Sequence, residues 1–174
     1  MMTRRRLALV TGVVVLTASC DQITKRIASD TLRFSPPQTF FGDLFRLQYS
    51  ENPGAFLSLG SGLPGDWRAW LFKWGVGALL AGALAYTLSN GRLRTATVIG
   101  LSLFIGGGLS NLADRVFRGD MVVDFMNVGI GRLRTGVFNV ADLSIVAGVL
   151  LFIVGSLLDQ DSKDRSPERE SPES

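Results

Sequence analysis

Histidine is absent from this 174-residue chain, and cysteine occurs once, at Cys20. The first absence removes Ser-His-Asp and Cys-His nucleophile systems, HExxH zinc proteases and imidazole proton relays together. A single thiol leaves no partner for an intrachain disulfide and too few ligands for a thiolate-bound metal. Charge imbalance is also small: 18 Lys and Arg stand against 15 Asp and Glu, a formal net of +3. The arginines sit at segment ends and not in a patch interleaved with aromatics, so nucleic acid is not an expected partner. If the chain is an enzyme, its chemistry falls to carboxylates, lysine, hydroxyls and water.

What is abundant is apolar sequence in long blocks. With 47% hydrophobic residues and a mean hydropathy of +0.28, the chain reads as a one-domain membrane protein. About 20 apolar residues in a helix cross roughly 30 Å of hydrocarbon. Four such helices are expected, at about residues 7–28, 67–88, 96–112 and 141–158, making one domain over residues 1–158. The first follows Arg4, Arg5 and Arg6 and has the look of a secretory signal peptide. Residues 16–20, Leu-Thr-Ala-Ser-Cys, approach a lipobox whose leucine stands one position too far upstream. Continuation of the helix to about Ala28 favours an uncleaved span.

Trp67, Trp70 and Trp74 cluster at the start of the second span as an interfacial belt would, with Lys73 able to snorkel among them. Gly100 and Gly106, Gly107 and Gly108 are small residues of the kind that let helices approach closely in lipid. Between the first two spans, Phe45, Leu47 and Tyr49 alternate with Arg46, Gln48 and Ser50, the period of a short strand. Asn52-Pro53-Gly54 is a turn signal. Residues 159–174 are charged and poor in apolar residues, which predicts a disordered cytoplasmic tail with no catalytic role. The arginines before the first span and at Arg92 and Arg94 mark the inner side, giving cytoplasmic termini. Asp21, the Asn52 loop, the outer end of the third span, Asp124 and Asp142 then all lie toward the outer face.

Residues 106–142 carry most of the functional content, because they place Asp114, Asp120, Asp124 and Asp142 in or beside apolar surroundings, where a carboxylate is costly to keep. Asp124 lies inside the apolar run 121–126, and Asp142 opens the last span. Two carboxylates brought together share one proton, since like charges push one pKa up and hold the other down. Asp21 and Lys25 are four apart and share a helical face; alone they read as a solvated ion pair. Asn111, Asp114, Arg115 and Arg118 also share a face. Arg115 either fixes a carboxylate or substrate carbonyl through its planar donor fork or snorkels beside an acid. Asn139 reads by default as a cap of the last helix.

Taken together, the blocks Asp21-Gln22-Ile23-Thr24-Lys25, Asn52-Pro53-Gly54-Ala55-Phe56, Asn111-Leu112-Ala113-Asp114-Arg115, Val122-Val123-Asp124-Phe125 and Phe138-Asn139-Val140-Ala141-Asp142 resemble the bacterial lipoprotein signal peptidase family, signal peptidase II. The resemblance implies an all-α membrane protein of four transmembrane helices with a small periplasmic β cradle and an interfacial amphipathic helix. It implies an intramembrane aspartyl endopeptidase with Asp124 and Asp142 as its dyad, needing no metal or cofactor. Asp21, Lys25, Asn52, Gly107, Asn111, Arg115 and Asn139 would support the dyad or hold substrate, with Gly54 and Asp114 beside them in the same blocks. The implied partners are membrane lipids and diacylglyceryl-modified prolipoproteins, cleaved before the lipidated cysteine in the bacterial inner membrane by a monomer. Ser110 stands where the family usually has glycine, and the Asn52 block reads Gly-Ala-Phe-Leu-Ser where Gly-Ala-Ala-Phe-Gly is commoner. Both are expected to alter packing and the substrate pocket, not the reaction. Two rival readings are a small proton-coupled transporter and a lipoprotein cleaved at Cys20. The inner half of the helices lacks ionisable residues for the first, and three later spans fit poorly with the second.

Overall fold

The computed structural model describes residues 4–53 and 64–164. Its elements in chain order are α1 (Arg4–Leu32), β1 (Gln38–Phe40), β2 (Phe45–Asn52), α2 (Gly65–Trp70), a π-helical turn (Leu71–Gly75), α3 (Val76–Ser89), α4 (Thr95–Phe117), β3 (Val122–Ile130), β4 (Leu133–Arg134) and α5 (Val140–Asp164). Among the described residues four helical stretches are long and apolar enough to cross a membrane: Arg4–Leu32, Leu71–Ser89, Thr95–Phe117 and Val140–Leu158. Each expected span therefore has a counterpart, with displaced ends. α5 continues past Leu158 to Asp164, so the first part of the expected disordered tail is helical.

α4 is the hub. Of its most apolar stretch 56% is buried within the protein, against 17–22% for the other three spans. It packs most intimately on α5, through glycines that bring the two backbones into contact. A Cβ at Gly100 would lie 2.7 Å from the Gly148 carbonyl oxygen, and one at Gly148 would lie 2.5 Å from that of Gly100. Neither helix tolerates even a methyl group there, which is how glycine brings two helices together in lipid.

α4 also runs to Phe117, beyond the expected end near Leu112. Gly119 follows in the left-handed region at φ +67°, and the Asp120 N–H reaches back to the Arg115 carbonyl at 3.0 Å. This is a Schellman stop, which needs a residue free of Cβ strain just past the helix. The chain then reverses into β3.

The sheet is four-stranded and antiparallel in the order β1-β2-β3-β4. β2 coincides with the stretch whose period-two alternation predicted a strand. Its register with β3 sets Ser50 opposite Asp124 and Asn52 opposite Val122, after an irregularity between Leu47 and Ser50. The C-terminal end of α1 seats this sheet: Ala28 and Leu32 bury against Phe125, with Leu47, Tyr49, Met126 and Val140 packed around them. That contact explains why α1 extends to Leu32, past the apolar run visible in the sequence. A bridge between Met126 and Phe138 ties the approach to α5 onto β3, leaving Asn139 beside Asp124.

Candidate active site

Asp124 projects from β3 and Asp142 from the first turn of α5, and asparagine side chains join them. The Asn139 side-chain amide donates to Asp124 Oδ1 at 2.6 Å, while its backbone N–H donates to Asp142 Oδ2 at 3.1 Å. In return the Asp142 N–H donates to Asn139 Oδ1 at 2.9 Å. Asn139 and Asp142 thus form a reciprocal capping box, each satisfying an N–H that the first helical turn leaves free. The default reading of Asn139 as a cap holds, and the cap is part of the site.

The remaining donors come from β2 and α4. Asn52 Nδ2 donates to Asp124 Oδ2 at 2.9 Å, and Asn111 Nδ2 donates to Asp142 Oδ1 at 3.0 Å. Both aspartates are buried, at 1% and 5% exposure. Burial pushes the Asp124 carboxyl up from 3.8 to about 7; the amide of Asn52 opposes the rise and the neighbouring charge of Asp142 adds to it. A carboxyl group near neutrality beside a second carboxyl is equipped for general acid–base work.

Beneath the pair lies a fully buried ionic cluster. Lys25 Nζ is 2.6 Å from Asp21 Oδ2 and 2.9 Å from Asp114 Oδ2, and it donates to Asn111 Oδ1 at 2.7 Å. Those three contacts match the three N–H groups of an ammonium. Lys25 therefore orients Asn111, which in turn holds Asp142. The solvated ion pair suggested by the spacing of Asp21 and Lys25 is not what forms: both side chains are 0% exposed. Spacing fixes a shared face of α1, and the covering comes from α4. Asp21 also accepts the Ala141 backbone N–H at 2.7 Å. Asp114 additionally takes Arg118 Nε at 3.2 Å and the Val123 N–H at 3.3 Å, joining α4 to β3.

Arg115 is buried with its guanidinium 5.1 Å from the centre of the Phe72 ring, a cation–π distance. Gly107 admits no Cβ, which would fall 2.5 Å from the Ala141 carbonyl oxygen; its absence brings the start of α5 against α4. Asp21, Lys25, Asn52, Gly107, Asn111, Asp114, Arg115 and Asn139 are thus gathered with Asp124 and Asp142. Gly54 and the variant stretch after it lie outside the described residues. Asp120 stands apart, paired at 2.7 Å with Lys73, the lysine expected to snorkel.

Two residues of the cluster escaped the sequence reading as members of the site. Gln22 Nε2 reaches Asp114 Oδ1 at 3.0 Å and Ser110 Oγ at 2.9 Å, and Ser110 Oγ donates to Asp21 Oδ2 at 2.7 Å. Ser110 lies one turn before Asp114 on the same α4 face, a pattern that points to the buried side.

The sequence profile of the family described as Signal peptidase (SPase) II matches residues 13–158. A lipoprotein signal peptidase of Syntrophus aciditrophicus is 34% identical over 153 residues, covering 87% of this chain and 92% of the relative. One of Rhodococcus jostii is 37% identical over 164 residues, covering 89% and 75%. Among solved structures, one described as a bacterial membrane enzyme structure by the in meso method at 2.3 Å resolution superposes with a TM-score of 0.75 at 26% identity. It covers 95% of this chain and 94% of its own. A profile match that begins within α1, ends in α5 and takes in every block around the two buried aspartates means that the chain belongs to the signal peptidase II family.

Proposed function

We propose that this protein is an aspartyl endopeptidase of the bacterial inner membrane that removes signal peptides from diacylglyceryl-modified prolipoproteins, cutting before the lipidated cysteine. The observation that carries the proposal is the amide-bridged pair: two buried carboxylates on separate elements, held by Asn52, Asn111 and Asn139. One carboxylate takes a proton from water as the water attacks the scissile carbonyl, and the other, protonated, delivers its proton to the leaving nitrogen. Lys25, Asp21 and Asp114 are positioning residues, since their side chains contact Asn111, Ala141, Ser110, Gln22, Val123, Arg118 and each other. Family membership, four spanning helices and buried carboxylates together favour this reading over a transporter.

The single domain covers residues 1–158, with both termini cytoplasmic and the pair toward the periplasm. α2 and the exposed Trp67, Trp70 and Trp74 lie along the outer membrane surface, where amphipathic indoles are favoured. A reporter fused after Asn90 will be cytoplasmic and one inserted near Asp30 periplasmic; the reverse pattern contradicts the orientation. Two acyl chains anchor a substrate stably in the bilayer while one does so only marginally, so the purified monomer will cleave a precursor whose cysteine carries diacylglycerol and leave the unmodified precursor intact. Equal cleavage of the two would refute the substrate assignment.

A further inference from the structure

We infer that Ser110 is a positioning residue for Asp142, acting through Asp21 and the backbone of α5. This rests on the reading of Asp142 as one of the catalytic pair. Ser110 is 2% exposed on the buried face of α4. Its hydroxyl proton has a determined direction: Gln22 Nε2, at 2.9 Å, can only donate to Oγ, so the proton goes to Asp21 Oδ2 at 2.7 Å. Asp21 Oδ2 also takes Lys25 Nζ at 2.6 Å. With that oxygen fixed from two sides, Oδ1 is turned to the Ala141 N–H at 2.7 Å. Ala141 precedes Asp142, and its carbonyl oxygen lies against Gly107, where a Cβ would come within 2.5 Å. The first turn of α5 is therefore pinned on its N–H side by Asp21 and on its C=O side by the bare α4 backbone. Ser110 sets the angle of the carboxylate that does the first of these.

The hydroxyl makes an unusual order of substitutions the expected one. Ser110→Ala removes one oxygen and leaves a gap too small for water, so Asp21 loses a donor outright. Ser110→Gly removes Cβ as well, and the space then approaches the size of a water molecule, with Asp21 Oδ2, Gln22 Nε2 and the residue 110 carbonyl as partners. Ser110→Ala will lower kcat about 10- to 30-fold, the lower part of the range for a hydrogen bond to a charged group, and Ser110→Gly about threefold. KM will stay within about twofold in both, because Ser110 does not reach the substrate. Helix propensity runs the other way, Ala above Gly, so thermal stability will rank Ala above Gly while kcat ranks Gly above Ala.

The test measures kcat, KM and unfolding temperature of the full-length protein and these two variants in the same lipid, on the diacylglyceryl precursor. Opposite rankings of stability and kcat support the assignment. Activity that follows stability, a loss confined to KM, or an alanine variant within about twofold of wild type in kcat overturns it. If the alanine variant does not purify, Ser110→Cys, of similar volume with a weak donor, is compared with glycine in its place. Asp142→Asn, assayed in parallel, separates the two readings. If it retains activity, the catalytic assignment has failed; if it is inactive while Ser110→Ala is not impaired, only the role of Ser110 has.

Discussion

Replacing Asp124 by asparagine should change both the activity and the pH dependence of stability, and the second effect can be worked from the structure. The carboxyl is raised from 3.8 to about 7, chiefly by burial. At about 1.4 kcal/mol per pKa unit, that rise amounts to about 4 kcal/mol. Below the unfolded value both states hold the proton, and the site's contribution to stability is complete. As pH climbs, the unfolded carboxyl ionises freely while the folded one resists, so stability falls until the folded group also ionises near 7. An asparagine has no such titration. The unfolding temperature of Asp124→Asn, relative to wild type, should therefore rise between pH 4 and pH 8 by about ten degrees, taking about 2–4 °C per kcal/mol for a chain of this size. Thermal unfolding in one detergent across that range measures it. Cleavage by the variant should fall by about a thousandfold or more, because an amide can neither accept a proton from water nor return one. Wild-type kcat should decline as pH passes about 7 and the pair loses its shared proton, an apparent value that belongs to both carboxyls. A pH-independent difference between variant and wild type would refute the raised carboxyl, and near-normal turnover would refute its role.

Lys25→Met should cost about 3–5 kcal/mol, since it strands Asp21 and Asp114 as uncompensated buried charges. Lys25→Arg should not restore stability, because a planar fork cannot replace a compact ammonium making three contacts in a sealed site; unfolding temperature and yield of inserted protein report both. Gly107→Ala should lower kcat about tenfold or more by driving α5 off α4, whereas Gly12→Ala, where a Cβ meets nothing within 4 Å, should match wild type. Asp120→Asn should keep most activity and lose at most about 1 kcal/mol, the scale of a partly exposed ion pair; a tenfold loss of cleavage would bring Asp120 into the site.

The spans were legible because lipid demands a long apolar helix, and β2 was legible because its alternation survives in Phe45, Leu47 and Tyr49. β3 was not. Val122 to Phe125 are all buried, and a strand covered on both faces shows no alternation to distinguish it from a short helical run. The end of α4 was misplaced for a related reason. Asp114 and Arg115 look like the edge of a span when hydropathy is the guide, yet both are interior groups with partners on α1, the π-helical turn or β3. Long-range partners are what spacing cannot supply: Asp21 and Lys25 advertise a pair, and only the fold shows Ser110 and Asp114 closing over it. The two proposed catalytic aspartates were found by their apolar neighbourhoods and by the family resemblance. Asn52, Asn111 and Asn139 were named for that resemblance, and the structure supplies the physical reason for three amides: each can donate to a carboxylate without adding charge to a buried site.

The charges around the pair themselves argue for a shared proton. Asp21, Asp114, Asp124 and Asp142 are all buried, and the cations facing them are Lys25 and Arg118, each paired with Asp114, and Arg115, whose charge acts on Asp114, Asp124 and Asp142. With Asp120, which also acts on Arg115, matched by Lys73, these four carboxylates and three cations among the described residues leave one negative charge in excess. An uncompensated charge in a low-dielectric interior costs several kcal/mol, and a single proton removes it. Lys25 cannot move to help, since its three donors are already taken by Asp21, Asp114 and Asn111. Direct ion pairs join Asp21 and Asp114 to Lys25, while among the described residues the side-chain donors on Asp124 are the neutral amides of Asn52 and Asn139, so the pair is where we propose that proton resides. On that reading, the same arrangement that makes the cluster tolerable in a membrane would leave one carboxyl protonated beside one that is ionised, the state that the proposed acid–base hydrolysis starts from.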